Sequence, residues 1–283
     1  MPAASFLHPL WKSHPMLDTE KRNPRTLLLD RMSSEEMVSV FQEENRVAVE
    51  ALTPALPSIA RAIDAAASAL TDGGRILYVG CGTSGRLAAQ DAAECPPTYG
   101  TAPEQVVAVL AGGASALVKA SEGAEDSAED GAKAIRENGV CAKDIVIGIS
   151  ASGGAAYVLG ALRAAHAAGA TTVSVTSNAD APISAASDIV IYTPTGPEPV
   201  TGSTRMKAGT AQKLVLNMIS TGAMVKTGHV ISNLMVNLKP TNRKLRARMI
   251  RIVSVLADCP EAIAERRLEQ RNWSIRSVLA EGS

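Results

Sequence analysis

The sequence predicts an α/β fold in which a doubly wound, parallel five-stranded sheet is flanked by N- and C-terminal helices. Five short apolar segments alternate with helical segments, the order that parallel crossovers produce. The apolar segments lack a strict alternation of apolar and polar residues, which is typical of strands covered on both faces. The chain is 46% hydrophobic but only 3% aromatic, a composition that favours close packing of small side chains between helices and strands.

The N-terminal part is predicted to form an irregular arm followed by two helices. Residues 1–18 contain three prolines and show no periodicity. The segment 31–52 begins with a capping box from Ser33 to Glu36, a pattern that satisfies free N–H groups at a helix start. The apolar stripe of this helix comprises Met37, Val40, Phe41 and Val47. A second helix is predicted over about residues 58–70.

The middle of the chain repeats the order strand, turn, helix. The predicted strands, with their turns, lie in residues 75–80, 105–113, 144–154, 171–178 and 188–195. The predicted helices lie in residues 87–94, at both ends of 114–138, and in 155–169. Helical connections of this length imply right-handed crossovers between parallel strands. One long helix is predicted within residues 203–228, and the tail from about residue 240 is basic and helical. The long helix is expected to bury Leu214, Leu216, Met218 and Ile219.

The segment AECPPTYG raises a question about Glu94. Because each proline ring removes a backbone donor and restricts the preceding residue, the pair Pro96-Pro97 predicts that the helix ends just before it. Glu94 would then lie in the last helical turn, where the helix dipole disfavours a negative charge. A carboxyl group in that position calls for an explanation.

Charge, cysteine and hydropathy patterns exclude several classes of protein. Lys+Arg and Asp+Glu number 28 each and are interspersed, so no basic surface for nucleic acid is expected. No apolar run reaches membrane-spanning length and the N-terminus lacks a signal-peptide pattern, so we expect a cytoplasmic protein. The spacing of the cysteines and histidines contains no metal-binding motif. We therefore expect reduced thiols and no bound metal. The cysteines are Cys81, Cys95, Cys141 and Cys259.

Two loops at predicted strand ends indicate an anion site. GCGTSGR (residues 80–86) and ISASGG (149–154) each lead from a strand into a helix, whose free N–H groups suit a phosphate. The first loop contains G-x-G-x-x-G, but the next strand does not end in an acidic residue and no Walker lysine follows. A phosphorylated small molecule fits better than a nucleotide, although ordinary strand–helix turns remain the alternative. The candidate contacts are Thr83, Ser84, Gly85, Ser150, Ser152 and Gly153.

Longer motifs resemble one family. TEKRNPRTLLLDRMSSEEM, GTSGRLAAQDAAECPPTYG, SEGAEDS and TGSTRMKAGTAQKLVLNMISTGAM are similar to segments of the N-acetylmuramic acid 6-phosphate etherases, over about residues 19–244. The resemblance implies a sugar isomerase (SIS) domain with a five-stranded parallel sheet. On this basis we expect an arm and helix in residues 1–50, the sugar-phosphate-binding domain in 51–228 and a helical segment in 229–283.

The resemblance also implies an activity and its site residues. The family cleaves the lactyl ether of its substrate to give N-acetylglucosamine 6-phosphate and D-lactate, as a carbon–oxygen lyase without metal or organic cofactor. Its acid falls on Glu94 and its base on Glu125. A sheltered carboxyl at a helix end would have a raised pKa, which would let Glu94 act as the acid. Positive charge near the ligand, or else helix capping and surface solvation, is expected from Thr204, Arg205 and Lys207.

Departures from the family pattern leave other functions open. The family usually has ASGRTPYV where this chain has ASGGAAYV, so Gly154, Ala155 and Ala156 replace a cation, a hydroxyl and a proline. The family also has a longer helical tail, so a difference in assembly or in a lid over the site is expected. One alternative is an aldose–ketose isomerase of the same fold, and another is a non-catalytic sugar-phosphate sensor like the glucokinase regulatory proteins. A homodimer is implied by resemblance.

Overall fold

The computed structural model describes residues 16–119, 121 and 123–280. Five parallel strands form one sheet in the order β2-β1-β3-β4-β5. The strands are β1 (Ile76–Gly80), β2 (Val106–Leu110), β3 (Ile145–Ile149), β4 (Thr171–Thr176) and β5 (Ile189–Tyr192). This sheet confirms the predicted doubly wound α/β fold. Most of the predicted N-terminal arm, residues 1–15, lies outside the described residues.

Helices cover both faces of the sheet. In the described part of the chain they are α1 (Ser34–Glu50), α2 (Leu56–Thr71), α3 (Gly82–Tyr99), α4 (Ala128–Glu137), α5 (Ala156–Ala167), α6 (Lys207–Lys226), α7 (Arg243–Leu256), α8 (Glu261–Gln270) and α9 (Ile275–Leu279). One core packs α2, α3 and α6 against the sheet, and a second packs α4 and α5 against the opposite face. Successive residues of β1 alternate between the two cores, since strand side chains point to opposite faces in turn.

Helix α1 begins as predicted. Ser33 accepts a hydrogen bond from the Glu36 N–H (3.3 Å), and the Glu36 carboxylate accepts one from the Ser33 N–H (2.7 Å). These two bonds form the capping box that the sequence indicates. The apolar stripe of α1 is half-buried, and the helix packs against α6.

Helix α3 does not end where predicted. It continues through Pro96 and Pro97 to Tyr99, and Gly100 ends it with a φ of 69°. The prolines remove two N–H donors, but tertiary contacts hold the last turn in place: the Tyr99 hydroxyl lies 2.9 Å from the Thr221 hydroxyl on α6. Glu94 is therefore more than one turn from the end of the helix.

Other departures concern α6 and the tail. Helix α6 begins at Lys207, four residues after the start of the predicted segment, because residues 203–206 form a turn. Leu216 and Ile219 are buried as expected, whereas Met218 is 38% exposed because it lies on the opposite side of the helix. Sequence reasoning also missed a short antiparallel hairpin, β6 (Val230–Ile231) and β7 (Leu234–Met235). The last three helices share their own small apolar core.

Candidate active site

The strand order reverses between β1 and β3, and open α/β sheets bind ligands in the crevice at such a point. The two predicted loops leave these two strands side by side. Beside the first loop lies a cleft of about 290 Å³. Its lining includes Cys81, Gly82, Thr83, Arg86, Gly123 and Glu125.

The helices that start at these loops have N-termini without a side-chain cap. Neither Cys81, before α3, nor Ala155, before α5, accepts a capping hydrogen bond through its side chain. A helix start of this kind presents N–H groups and the positive end of the helix dipole, both of which favour an anion. Alanine has no side-chain acceptor, so residue 155 cannot cap α5.

Residues of the first loop have two roles: one faces the cleft, and the next two pack against neighbouring elements. Thr83 is half-buried and lines the cleft. Ser84 is buried, and its hydroxyl donates to Gln212 Oε1 on α6 at 2.9 Å. A Cβ atom on Gly85 would lie 2.7 Å from the Gly80 carbonyl oxygen, so glycine is needed there for the close approach of helix to strand.

The second loop is a compact turn closed by its own serines. The Ser150 hydroxyl accepts from the Gly153 N–H at 3.1 Å, and the Ser152 hydroxyl accepts from the Gly154 N–H at 3.2 Å. Ser150 is buried and Ser152 is half-buried. Gly153 has a φ of 72°, which side chains other than glycine rarely adopt. Both hydroxyls therefore shape the loop and retain capacity for a further hydrogen bond.

The start of α6 is filled by charged side chains of the chain itself. The Glu198 carboxylate, fully buried, accepts from the Lys207 N–H at 2.8 Å and the Ala208 N–H at 3.0 Å. The Lys207 ammonium, 3% exposed, lies 2.5 Å from a carboxylate oxygen of Glu44 on α1. Arg25 contacts the other oxygen of Glu44 at 2.6 Å. Lys207 is therefore directed to Glu44, so neither predicted role, a charge near the ligand or a solvated surface group, describes it.

The environment shifts the pKa values of these two carboxyls in opposite directions. Burial disfavours ionisation of Glu44, but its contacts with Lys207, Asn23 and Arg25 hold its pKa below the ordinary value. Burial raises the pKa of Glu198, and the backbone N–H donors of Ala208 and Lys207 only partly oppose this. Glu44 is thus favoured as a charged partner of Lys207.

Thr204 and Arg205 lie in the turn that precedes α6. Thr204 is half-buried and Arg205 is exposed. The Gly209 N–H donates to the Thr204 carbonyl at 2.8 Å, and a Cβ on Gly209 would lie 3.4 Å from the Thr83 methyl group. The turn therefore lies next to the first loop, which agrees with a place near the cleft.

The two predicted catalytic glutamates occupy separate places within one chain. Glu125 is exposed in the turn before α4 and lines the cleft. Glu94 is exposed on α3, where Gln90 donates to it at 3.4 Å. Twelve residues separate Glu94 from Gly82 at the cleft, a rise of roughly 18 Å along the helix axis. The sheltered helix-end environment expected for Glu94 is not present within a single chain.

Several residues near the site were not found from the sequence. Thr19, fully buried, accepts from the Asn178 amide at 3.0 Å, and the same amide donates to the Ala151 carbonyl at 2.9 Å. These bonds attach the N-terminal segment to the second loop. Arg86 lines the cleft and donates to the Leu117 carbonyl at 3.2 Å. The only signal for Arg86 was its position at the end of the first loop.

The two cysteines of α3, Cys81 before its first residue and Cys95 near its other end, are poor nucleophiles. Burial, with added repulsion from Glu125 and Asp126, raises the pKa of Cys81 to about 12. Burial, with the charges of Asp91 and Glu94, likewise raises the pKa of Cys95 to about 12.

Among the described residues, no group of three or more His, Cys, Asp or Glu side chains is arranged to hold a metal ion. No helix in the same residues combines the length and hydropathy required to cross a bilayer.

Comparisons with known proteins agree with this architecture. Models of the glucokinase regulatory protein N-terminal SIS domain and of the SIS domain match residues 58–166 and 128–222. The solved structure of the E. coli CFT073 protein c3406, determined as a complex, is similar in fold, with a TM-score of 0.51 and 18% identity over 71% of this chain and 97% of that one.

Two curated relatives are much more similar in sequence. An N-acetylmuramic acid 6-phosphate etherase of Aeromonas hydrophila is 51% identical over 92% of this chain and 88% of its own. One of Salmonella typhi is 49% identical over 93% of this chain and 89% of its own. With this identity over almost the whole length and an SIS domain, the chain belongs to the N-acetylmuramic acid 6-phosphate etherase family.

Proposed function

We propose that this protein is an N-acetylmuramic acid 6-phosphate etherase, a carbon–oxygen lyase that releases D-lactate and N-acetylglucosamine 6-phosphate. The observation that carries the proposal is a cleft beside the carboxyl end of β1, lined by the uncapped start of α3 and by an exposed glutamate, Glu125. Helix starts supply a phosphate site, and the glutamate supplies a base beside it.

The proposed reaction is an elimination followed by addition of water. After the sugar ring opens, Glu125 removes the proton from the carbon next to the aldehyde. The bond between carbon 3 and the lactyl oxygen breaks, Glu94 protonates the departing oxygen, and D-lactate leaves. Glu94, now ionised, takes a proton from water as the water oxygen adds to carbon 3, and Glu125 returns its proton to carbon 2. The product carries a hydroxyl group at carbon 3, and both glutamates return to their starting states. Each group must come within hydrogen-bonding distance of its substrate atom during these steps.

The phosphate is assigned to the first loop and the start of α3. Thr83 and the backbone N–H groups of α3 suit its oxygens. Ser150, Ser152 and Gly153, in the loop after the neighbouring strand β3, are retained as candidate contacts to the sugar. Arg205 supplies charge from the turn before α6. Ser84 and Gly85 serve this site by holding α3 against α6 and β1.

We further propose that the protein acts as a homodimer in the cytoplasm and that each site takes Glu94 from the partner subunit. The separation of roughly 18 Å along α3 supports this arrangement, because Glu94 and Glu125 of one chain cannot reach neighbouring atoms of one sugar. We also retain the division into residues 1–50, 51–228 and 229–283 as a proposal.

The direct test is incubation of the purified protein with N-acetylmuramic acid 6-phosphate and an assay for D-lactate. Glu125→Gln and Glu94→Gln are each expected to abolish D-lactate release. Both variants should still bind the sugar phosphate, and inorganic phosphate should still displace it in a binding assay. Glu137→Gln, an exposed glutamate on α4, is the matched control and should retain activity. Wild-type lactate release by either site variant would remove that residue from the mechanism.

Co-expression of the two inactive variants tests the dimer. If each site combines Glu94 of one subunit with Glu125 of the other, a mixed dimer has one intact site and one doubly altered site. Random assortment should then restore about a quarter of the wild-type rate, since half of the two-fold dimers are mixed. If both glutamates of a site belong to one chain, no mixed dimer has an intact site and no activity returns.

The alternatives make different predictions in the same assay. An aldose–ketose isomerase would interconvert sugar phosphates without releasing lactate and would not need Glu94 as an acid. A sensor would bind the sugar phosphate and convert nothing. Absence of lactate from the wild-type protein, with retained binding, would therefore favour one of these two functions.

A further inference from the structure

The first turns of α4 and α5 lie against each other beside Glu125, and we call this helix–helix contact the clamp. The Tyr157 N–H, in the first turn of α5, donates to the Glu125 carbonyl oxygen at 2.9 Å. Because α5 has no side-chain cap, this carbonyl takes up one of the free N–H groups at the helix start. The turn that carries Glu125 is thus attached to α5 by its backbone.

Two glycines allow the helices to approach closely beside this bond. A Cβ on Gly160 of α5 would lie 2.0 Å from the Ala128 carbonyl oxygen, and a Cβ on Gly131 of α4 would lie 1.9 Å from the Tyr157 carbonyl oxygen. Each glycine therefore contacts the backbone of the other helix in its first turn. Since the contacted atoms belong to the backbone, a methyl group at either position requires one helix to move.

Resting on the proposed function, we propose that Gly131 and Gly160 are positioning residues that set the location of Glu125 in the cleft. Ala128, which Gly160 contacts, is three residues from Glu125, so a shift of α4 relative to α5 moves the carboxylate. The phosphate site at the start of α3 belongs to the opposite layer and is not part of this contact. The glycines should therefore affect the chemical step more than sugar binding, because the proposed phosphate site at α3 does not move with them.

The experiment compares Gly160→Ala and Gly131→Ala with a matched control, Gly222→Ala. Gly222 is also a helical glycine packed against another helix, but a Cβ there would meet side-chain atoms of Ile63, 2.7 Å from its Cδ1, and no backbone atom, so this variant controls for crowding away from Glu125. A displacement of about 1 Å can reduce a rate by about 100-fold. We expect kcat for D-lactate release to fall about 10–100-fold in the two clamp variants, with a much smaller change in KM and in competition by inorganic phosphate. Gly222→Ala should keep wild-type values.

The outcomes separate this inference from the proposed function. Lactate release by the wild-type protein tests the function alone. A folded Gly160→Ala or Gly131→Ala protein with wild-type kcat, or with a raised KM at unchanged kcat, would overturn the positioning role. If both variants fail to fold, hydrogen exchange of the Tyr157 amide in the wild-type protein decides: slow exchange supports the clamp, and exchange at the rate of an unprotected amide overturns it.

Discussion

Helices α3, α5 and α6 all begin at the carboxyl edge of the sheet, but their N-termini are of two kinds. The start of α6 holds the buried Glu198 carboxylate, with the Lys207–Glu44 pair beside it. The starts of α3 and α5 have no side-chain cap. A helix N-terminus attracts anions wherever it occurs, so the difference lies in whether the chain has already supplied one. Substrate phosphate is therefore expected at α3 rather than at α6.

The largest expected effect comes from Lys207→Met. This change leaves the fully buried Glu44 carboxylate without its main partner, which costs about 3–5 kcal/mol in the free energy of unfolding. Urea denaturation measures it. Lys213→Met, at an exposed lysine of the same helix, should change stability little. The double change Glu44→Met with Lys207→Met should recover much of the loss. A stable Lys207→Met protein with a raised KM would instead make Lys207 a ligand of the substrate.

Glu198→Gln should have an intermediate effect that depends on pH. In the variant an amide NH₂ group faces a backbone N–H donor, which lowers the free energy of unfolding by about 1–2 kcal/mol at pH 4.5. Because the folded-state pKa of Glu198 is raised above its ordinary value of 4.5, its contribution to stability is lost as pH rises through the folded pKa. The stability difference between wild type and variant should therefore shrink between pH 4.5 and pH 7. Glu43→Gln, at an exposed glutamate of α1, is the matched control for the loss of one carboxylate. A difference that grows with pH would contradict the raised pKa.

Thr83→Val tests an open helix start. Loss of one hydroxyl from the proposed phosphate site should lower kcat/KM about tenfold, about 1.4 kcal/mol, mainly through KM. Thermal unfolding should change little because Thr83 lies at the surface of the cleft. The exposed residue Thr241 provides the control Thr241→Val. Unchanged kinetics for Thr83→Val would place the phosphate elsewhere on the sheet edge.

The smallest effect is expected at an exposed ion pair at the other end of α6. Lys226 and Asp64 lie 2.8 Å apart, with side chains 56% and 62% exposed. Water screens such a pair, so Lys226→Met should change the free energy of unfolding by about 0.5 kcal/mol or less. A loss similar to that of Lys207→Met would show that burial is not what distinguishes the two lysines.

Local signals predicted most of the fold. The capping box at Ser33, the five apolar strands and the two strand–helix loops are short-range patterns, and each occurs where the sequence indicated. The prediction that α3 ends before Pro96 was wrong because buried contacts of Tyr99 outweigh the local effect of the prolines. The burial of Met218 was also wrong, because a helix that is apolar on several sides does not show which side faces the core.

The sequence by itself determined that parallel strands alternate with helices and that two hydroxyl-rich loops leave strand ends at one edge, because these features depend on neighbouring residues. Only the tertiary structure decided which helix starts are open and which is closed. The sequence predicts that Lys207 is a cation near a ligand. In the folded protein Lys207 pairs in the interior with Glu44, which is distant in the chain. A charge takes its role from what surrounds it, and those surroundings form only when separate segments of the chain pack together.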